Sequence, residues 1–465
     1  MATYQESARE IPAREVDVVI AGGGTGGAVA ALAAARRGAR TTLIEAKGYL
    51  GGIAVEGGTA LHSFYNLWTA FPGVEKRHVV RGIPQEIVDR LAEAGGTTGH
   101  VEMIEGRDYD SICTAIDTEI YKRVLFDMLE EAGVDICVNT FLAGAIVEQG
   151  DGAGHRVRGV LAESRSGREA IYARSFVDAT GYGDLAAHAG ASFTEPNDYP
   201  VANSVSLGNV SLEGFYDFLT AHHALAEFAR GPRSGKPGQI VRLRGNLDKL
   251  PAGFRDGARE IGMATTTTTI HDDYMMFIKL NYQMPVSPTD RNAAAAAEAE
   301  LRRRQARAVE LFRQYVPGCE RAFIARTSPS LCIRRGRLIA CDYDITLDDV
   351  LEGRHFADDV MVYGFHDSAP RLQIKEGRTY GIPYRALLPV GVENLYVTGM
   401  MITSDHDAHM STRNTVSCMA QGQAAGTAAA LCATGAISQG SHASRELPYD
   451  VLRQALEEDG VYFET

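Results

Sequence analysis

Residues 16–27 read VDVVIAGGGTGG, a β-branched stretch that runs directly into a glycine-rich turn. Such a stretch is typical of a buried parallel strand, and the alanine-rich residues 28–37 that follow it predict a helix. A second strand is predicted over residues 41–44 and ends at Glu45. The beginning of the chain therefore predicts a β-α-β unit whose glycines lie at the turn from strand to helix.

The glycines have the spacing G-x-G-x-x-G, at Gly22, Gly24 and Gly27. Gly22 permits the tight turn, Gly24 lets the backbone approach a pyrophosphate, and Gly27 lets the helix pack closely on the strand. The helix N-terminus would face the anion, and Glu45 is placed to accept hydrogen bonds from a ribose. The unit therefore predicts a dinucleotide site. The carboxylate disfavours the 2′-phosphate of NADP, which leaves FAD and NAD.

Composition and charge restrict the class of protein. The chain has 465 residues, 45% of them hydrophobic and 23% charged, which indicates a folded globular protein with room for two or three domains. The formal net charge of −13 disfavours nucleic acid and anionic membranes as partners. The seven cysteines contain no C-x-x-C pair and are typical of reduced thiols, and residues 1–14 lack the apolar stretch of a secretion signal. We expect a cytoplasmic protein, and self-association into a homo-oligomer is compatible with the sequence.

Three further segments resemble the FAD-dependent oxidoreductases related to the flavoproteins of fumarate reductase and succinate dehydrogenase. The closest likeness is to the single-chain FAD-dependent oxidoreductase family. The segments are 51–58 (GGIAVEGG), 178–184 (DATGYGD) and 394–426, which contains NLYVTG and QGQAAG. The resemblance implies that the first segment passes under the flavin ring and that the second lies on the nucleotide side. The third would close over the ribityl chain and point a helix N-terminus at the flavin pyrimidine, where its dipole stabilises negative charge.

The β-α-β unit and this resemblance together predict an α/β fold. A discontinuous Rossmann-like FAD-binding domain with a central parallel sheet is expected over residues 15–65, 130–192 and 376–440. An inserted α+β substrate domain is expected over residues 66–129 and 193–375, followed by a C-terminal segment, residues 441–465. Single helices are predicted over residues 215–229 and 411–434, and one strand over residues 170–177.

The residues expected to bind FAD are drawn from the glycine turn, the end of the second strand and the three segments. They are Gly22, Gly24, Thr25, Gly27, Glu45, Ala46, Lys47, Gly51, Gly52, Ala179, Thr180, Gly181, Asp184, Gly399, Gln423 and Ala424. Gly51 stands where relatives with covalently bound FAD place a histidine, so non-covalent FAD is predicted. Met400 follows Gly399 where many relatives have arginine.

Candidates for the chemistry are side chains that can accept a proton or hold a carboxylate near the flavin. His406 and His409 lie in the loop implied to adjoin the flavin, and imidazole is suited to accept a proton as hydride leaves a substrate. Arg334 and Arg413 have the planar fork of donors that binds carboxylates. His366, Tyr384 and His62 are weaker candidates. A metal held by residues 405–409 is disfavoured because a third distant ligand is not evident, so no metal is predicted.

Three functions remain open at this point. The first is a dehydrogenase or oxidase that removes hydride from a C–H beside oxygen or nitrogen of a small polar substrate. The second is reduction or desaturation of a C=C bond beside a carboxylate, with the arginines binding that carboxylate. The third is an FAD-binding subunit of an electron-transfer complex.

Overall fold

A computed structural model describes residues 8–58, 60–67, 71–102, 112–149, 154–364, 373–435 and 443–464. Its centre is a sheet of five parallel strands, which in spatial order are Leu395–Val397, Ser175–Asp178, Val18–Ala21, Thr41–Ile44 and Asp135–Cys137. The four strands Ser175–Asp178, Val18–Ala21, Thr41–Ile44 and Leu395–Val397 are buried along their whole length. The predicted α/β fold with a central parallel sheet is confirmed, and the β-α-β unit is its middle.

Helices cover this sheet. Thr25–Arg36 and Thr415–Thr434 pack against each other, with Ile83–Glu93 and Thr118–Glu131 beside them. A Cβ atom added at Gly422 would lie 2.1 Å from the carbonyl oxygen of Gly26, and one at Gly426 would lie 2.1 Å from that of Ala30. The two central helices therefore have their backbones in direct contact, which explains the many alanines and glycines in both.

A second sheet lies at the edge of this layer and contains strands Ala13–Glu15, Gly167–Tyr172, His155–Ser164 and Phe141–Gln149 in that spatial order. The single strand predicted over residues 170–177 is two strands in the structure. One ends at Tyr172 in this sheet, and the next, Ser175–Asp178, belongs to the parallel sheet. The chain changes sheets because Arg174 and Ser175 donate backbone hydrogen bonds to the carbonyl of Asp17.

The rest of the chain adds smaller sheets. A four-stranded antiparallel sheet contains Met263–Ala264, Tyr274–Tyr282, Val201–Gly208 and Phe323–Thr327. Two three-stranded antiparallel sheets contain Leu225–Arg233, Lys236–Gly245 and Thr266–Thr268, and Ala60–His62, Ile112–Ala115 and Val101–Glu102. Two antiparallel pairs are Phe193–Thr194 with Leu338–Ile339, and Asp359–Tyr363 with Tyr380–Pro383. Further helices are Ile53–Glu56, Asp184–His188, Leu212–Ala221, Ala252–Glu260, Arg291–Tyr315, Leu347–Leu351, His409–Thr412 and Tyr449–Glu458. The boundaries of the expected substrate domain stay a prediction.

Two helix predictions were wrong in extent. The helix expected over residues 215–229 ends at Ala221, and Leu225–Arg233 is a strand that forms a hairpin with Lys236–Gly245. The left-handed residues Ser234 and Gly235 make its turn, and the hairpin supplies the backbone hydrogen bonds that a helix would have made. The helix expected over residues 411–434 begins at Thr415, because Asn414 has the extended dihedral ψ 144° and separates it from the short helix His409–Thr412.

Among the described residues, none of the helices combines the length and the apolar character required to span a bilayer.

Candidate active site

A cavity of about 470 Å³ opens at the carboxyl end of the parallel sheet, where the glycine turn meets the first helix. The predicted residues that line it are Gly22, Gly24, Thr25, Glu45, Ala46, Lys47, Gly52, Ala179, Thr180, Gly181, Asp184 and Gly399. The carboxyl edge of an open parallel sheet is where such folds bind nucleotides. The structure therefore brings most of the predicted cofactor residues into one cavity.

The three motif glycines differ in what surrounds them. A Cβ atom at Gly22 would lie 2.5 Å from the carbonyl oxygen of Ala179, and one at Gly27 would lie 1.8 Å from that of Gly22. Both positions are closed by the protein itself. At Gly24 the nearest atom would be 3.8 Å away, and this residue borders the cavity. Gly24 also caps the first helix without a side-chain hydrogen bond, so the N–H groups of that helix end are available to an anion in the cavity.

Glu45 lies at the far side of the turn. Its two carboxylate oxygens accept hydrogen bonds from the backbone N–H groups of Gly23 (2.7 Å) and Lys47 (2.8 Å). Burial raises the pKa of Glu45 above its ordinary value, although both hydrogen bonds oppose the shift. Because each carboxylate oxygen can accept a second hydrogen bond, Glu45 can still receive the hydroxyl groups of a ribose.

The carboxylate of Asp178 holds the turn that follows the strand Ser175–Asp178. Its carboxylate accepts hydrogen bonds from the backbone N–H (3.0 Å) and hydroxyl (2.7 Å) of Thr180 and from the N–H of Ala186 (2.8 Å). Burial raises the pKa of Asp178 to about 6. These bonds fix residues 179–184, most of which line the cavity, so Asp178 positions the cofactor wall without lying in it.

The opposite end of the cavity is closed by residues 398–400 and by Cys418 in the C-terminal helix. Gln421, one turn further along that helix, accepts a hydrogen bond from the N–H of Gly399 (2.8 Å) and donates one to the carbonyl of Thr412 (2.8 Å). Gln421 thereby fixes the left-handed turn at Gly399, whose φ is +85°. The strand Leu395–Val397 and the helix Thr415–Thr434 are present, and their contact with the ribityl chain and flavin stays a prediction.

Four predicted cofactor residues lie outside the lining. Gly27 packs the helix on the turn, and Gly51 adopts φ +102° against the ring of Tyr121. Gln423 accepts a hydrogen bond from the N–H of Ile83 (3.0 Å), and Ala424 is fully buried in the helix layer. The cofactor-binding role of all sixteen predicted residues stays a prediction, and these four lie outside the cavity lining.

Several lining residues were missed by the sequence reasoning. They are Gly26, Ile44, Tyr49, Ile53, Glu56, Thr140, Phe141, Leu142, Tyr182, Pro288, Thr289, Arg291, Ile333, Arg337, Thr398, Met400 and Cys418. Among these residues, Glu56 has a buried carboxylate. It pairs with the ammonium group of Lys47 and accepts a hydrogen bond from the hydroxyl of Tyr49 (2.8 Å). Glu56 stands inside segment 51–58, which resembles the family, and this was the available signal.

The predicted catalytic residues form a separate group around Tyr199, and the cavity lining does not include them. The guanidinium groups of Arg335 and Arg413 each lie 5.5 Å from the centre of the Tyr199 ring. The rings of His406 and His409 lie 4.7 and 5.3 Å from the same ring. Arg334 contributes its backbone carbonyl to this group, while its side chain donates a hydrogen bond to Asn281 (2.8 Å).

The two histidines differ in their environment. His406 has 54% of its side chain exposed, and its Nδ1 lies 2.9 Å from a carboxylate oxygen of Asp198. His409 is fully buried, with Nε2 donating to the carbonyl of Arg334 (2.9 Å) and Nδ1 lying 3.3 Å from the hydroxyl of Ser404. Burial, reinforced by Arg335 and Arg413, lowers the pKa of His409 well below its ordinary value. His409 is therefore held as a neutral hydrogen-bonded side chain.

We expect the His409→Gln variant to lose less stability than the parent as the pH falls. An imidazole whose pKa is lowered by folding binds a proton only in the unfolded chain, so its contribution to stability is complete above about pH 6.5 and is lost as the pH falls. Through this group, the free energy of unfolding changes by at most about 1.4 kcal/mol per pH unit. Urea unfolding of the parent and of His409→Gln at pH 7, 6 and 5 measures how the free energy of unfolding of each protein depends on pH. Equal slopes in both proteins would contradict this account of His409.

The weaker candidates are placed elsewhere. Tyr384 is buried and donates a hydrogen bond to the carbonyl of Ser444 (2.7 Å), and His62 has Nε2 3.3 Å from a guanidinium nitrogen of Arg242. His366 lies outside the described residues. Within the parts of the chain that the structure describes, three or more histidine, cysteine, aspartate or glutamate side chains are nowhere grouped as metal ligands.

A parallel sheet with a glycine turn, an acidic residue at the second strand end and a cavity between them defines a dinucleotide-binding protein of the Rossmann-like class. Residues 17–456 match the model of the family described as FAD dependent oxidoreductase, and the chain belongs to that family. The protein is therefore an enzyme, an FAD-dependent oxidoreductase with FAD as its cofactor. The comparison with curated proteins gave no match.

The solved structures to which this chain is similar are distant in sequence. A geranylgeranyl bacteriochlorophyll reductase-like protein from Thermoplasma acidophilum is 14% identical, with a TM-score of 0.48, covering 96% of this chain and 84% of that chain. The flavin-dependent brominase Bmp2 is 13% identical, with a TM-score of 0.45 and coverages of 96% and 83%. The p-nitrophenol 4-monooxygenase PnpA from Pseudomonas putida DLL-E4 is 13% identical, with a TM-score of 0.41 and coverages of 97% and 89%.

FAD is expected to be bound without a covalent link. The left-handed φ of Gly51 and the Tyr121 ring beside it leave no room there for a side chain that could carry the cofactor. We expect acid denaturation to release all of the yellow colour as free FAD, and the boiled protein band on a denaturing gel to be non-fluorescent. A fluorescent band would show a covalent link at another residue, with His62 the first to replace.

Proposed function

We propose that the enzyme oxidises a small polar substrate by removing hydride from a carbon that carries oxygen or nitrogen. FAD, when bound, supplies the acceptor for the hydride. The protein must then take the proton from the O–H or N–H group, so that a C=O or C=N bond forms as the C–H and O–H or N–H bonds break.

The observation that carries this proposal is the pair formed by His406 and Asp198. The carboxylate holds Nδ1 of the imidazole at 2.9 Å, while more than half of the side chain is exposed. A carboxylate that orients one ring nitrogen leaves the other directed outward as a proton acceptor, the arrangement used by bases in many enzymes. His406 is therefore the proposed base, and Asp198 is its positioning residue.

Arg334 and Arg413 are proposed to hold the polar groups of the substrate. Nε of Arg413 is buried and, among the described residues, has no hydrogen-bond partner, which leaves a donor for a bound molecule. The guanidinium group of this residue lies over the ring of Tyr199, and its Nη2 donates to the sulfur of Met410 (3.5 Å). His409, being neutral and buried, is proposed to support the loop that carries Arg334 and His406.

The experiment is anaerobic mixing of the purified yellow protein with a panel of small alcohols, amines, hydroxy acids and unsaturated acids. Bleaching of the flavin absorbance by an alcohol or amine supports the proposal, and re-oxidation on admitting air separates an oxidase from a dehydrogenase. If reduced enzyme is re-oxidised by an unsaturated acid while no alcohol or amine bleaches it, C=C reduction replaces the proposal. If photoreduction bleaches the flavin but no substrate in the panel does, the result favours an electron-transfer subunit.

A further inference from the structure

One wall of the cofactor cavity comes from outside the parallel sheet. Pro288, Thr289 and Arg291 line the cavity from the segment that leads into the long helix Arg291–Tyr315. Arg337 lines it from the position just before the strand Leu338–Ile339. These residues face the same space as the glycine turn but belong to the part of the chain expected to form the substrate domain.

Hydrogen bonds to Glu195 fix this wall. One carboxylate oxygen of Glu195 accepts hydrogen bonds from the hydroxyls of Thr289 (2.7 Å) and Ser287 (3.1 Å). The same oxygen lies 3.8 Å from Nε of Arg337, whose Nη1 donates to the carboxylate of Asp184 (2.7 Å). The segment before the long helix is thereby joined to the cofactor turn at residues 182–184.

The cations of the cavity are not equivalent. Lys47 is paired with Glu56, and Arg337 with Asp184 and Glu195. Within the described residues, Arg291 has no ion pair. It also occupies the first position of a helix whose first turn contains no acidic residue, and the cap carboxylate of Asp290 is engaged by the N–H groups of Asn292 (3.0 Å) and Ala293 (2.8 Å).

An exposed arginine that lines a cavity and has no ion pair among the described residues can bind an anionic ligand there, and Arg291 is such a residue. The ligand of this cavity supplies such an anion, because FAD carries a diphosphate between its two halves. Arg291 therefore offers its guanidinium group to the diphosphate from the start of the long helix.

We propose that Arg291 binds the diphosphate of FAD, so that the anion is held from two sides. The glycine turn and first helix supply one side, and the start of the long helix supplies the other. Arg337 acts as a positioning residue that holds this wall through Glu195 and Asp184. The inference rests on the FAD cavity alone and is independent of the reaction proposed above.

The test is the dissociation constant of FAD for R291Q, R291K and R303Q, measured by diluting each holoprotein and recording the fluorescence of released FAD. Arg303 is a matched control on the same helix, 70% exposed and paired with Glu300. We expect R291Q to weaken FAD binding by about 10- to 100-fold, as for loss of a charged hydrogen bond. R303Q should match the parent. R291K, which keeps the charge, should recover most of the affinity, and added salt should weaken the parent more than R291Q.

A dissociation constant of R291Q within about twofold of that of R303Q would overturn the proposal, since this lies far below the effect of a lost charged contact. Equal weakening in R291K and R291Q would also overturn it, because the residue would then act through the shape of the helix start and not through its charge. Melting temperatures of the released apoproteins show whether each variant is folded.

Discussion

A Gly24→Val variant is expected to fold and to purify without FAD. The dihedrals of Gly24, φ −69° and ψ −168°, are open to any residue, and the nearest protein atom to an added Cβ is 3.8 Å away. The side chain would instead enter the cavity at the end of the first helix, where the diphosphate must approach the backbone. Absorbance of the purified protein at the flavin bands, together with its melting temperature, measures both results.

Two further variants make this result specific. Gly27→Val is expected to fail to fold, because its Cβ would overlap the carbonyl oxygen of Gly22. Gly144 lies in the strand Phe141–Gln149, and a Cβ atom added there would lie 3.5 Å from the Leu161 side chain, an ordinary contact distance. We therefore expect the Gly144→Val protein to stay yellow. If Gly24→Val purifies with a full complement of FAD, the cofactor does not lie against this turn.

Replacing His406 by alanine is expected to slow flavin reduction by roughly 10²- to 10⁴-fold without loss of FAD. This corresponds to about 3 to 5 kcal/mol of activation free energy. The cavity lining does not include His406, so the cofactor should be retained. The rate of anaerobic bleaching, at saturating concentration of the substrate found in the panel and at several pH values, measures the effect. An acidic limb should be present in the parent and absent in His406→Ala.

The matched control is His271→Ala. His271 also has a carboxylate partner, Asp117, at 2.7 Å and is 43% exposed, but it lies outside the cofactor cavity and the Tyr199 group. Its replacement should leave the rate unchanged, and Asp198→Asn should give an intermediate rate. If His406→Ala reduces the flavin within about threefold of the parent at every pH, a change far below that of a lost base, another side chain accepts the proton.

The candidate cofactor site could be predicted from the sequence where a few neighbouring residues determine the backbone geometry. The glycine turn, Glu45 and the turn held by Asp178 each combine a local backbone requirement with a hydrogen bond over a short stretch of chain. Their geometry follows from spacing, and the structure brings them to one sheet edge. The same is true of Gly399, whose turn follows directly after a buried strand.

The far wall of the cavity could not be predicted in this way. Arg291 and Phe141 reach it from a helix start and a strand that are distant in sequence from the glycine turn, and their own segments contain no motif. Gln421 and Gln423 show a second limit. Two residues apart on a helix point to different faces, so Gln421 holds the Gly399 turn while Gln423 binds Ile83. The family motif contains both without distinguishing these faces.

The histidines illustrate the part played by burial. The sequence places His406 and His409 in one short loop with the same chemistry, and only the packing around Tyr199 separates an exposed imidazole from an enclosed one. Solvent exposure depends on Asp198 and Arg335, which approach from other segments.

The direct backbone contact between helices Thr25–Arg36 and Thr415–Thr434 has a consequence for motion in this enzyme. The first helix begins at the glycine turn, and the second carries Cys418 at the other end of the cavity. Because added atoms at Gly422 or Gly426 would overlap the first helix, the two cannot slide or separate without breaking this contact. We therefore expect the distance between the two ends of the cofactor cavity to stay nearly constant through turnover, and any opening that admits substrate to come from the remaining part of the molecule.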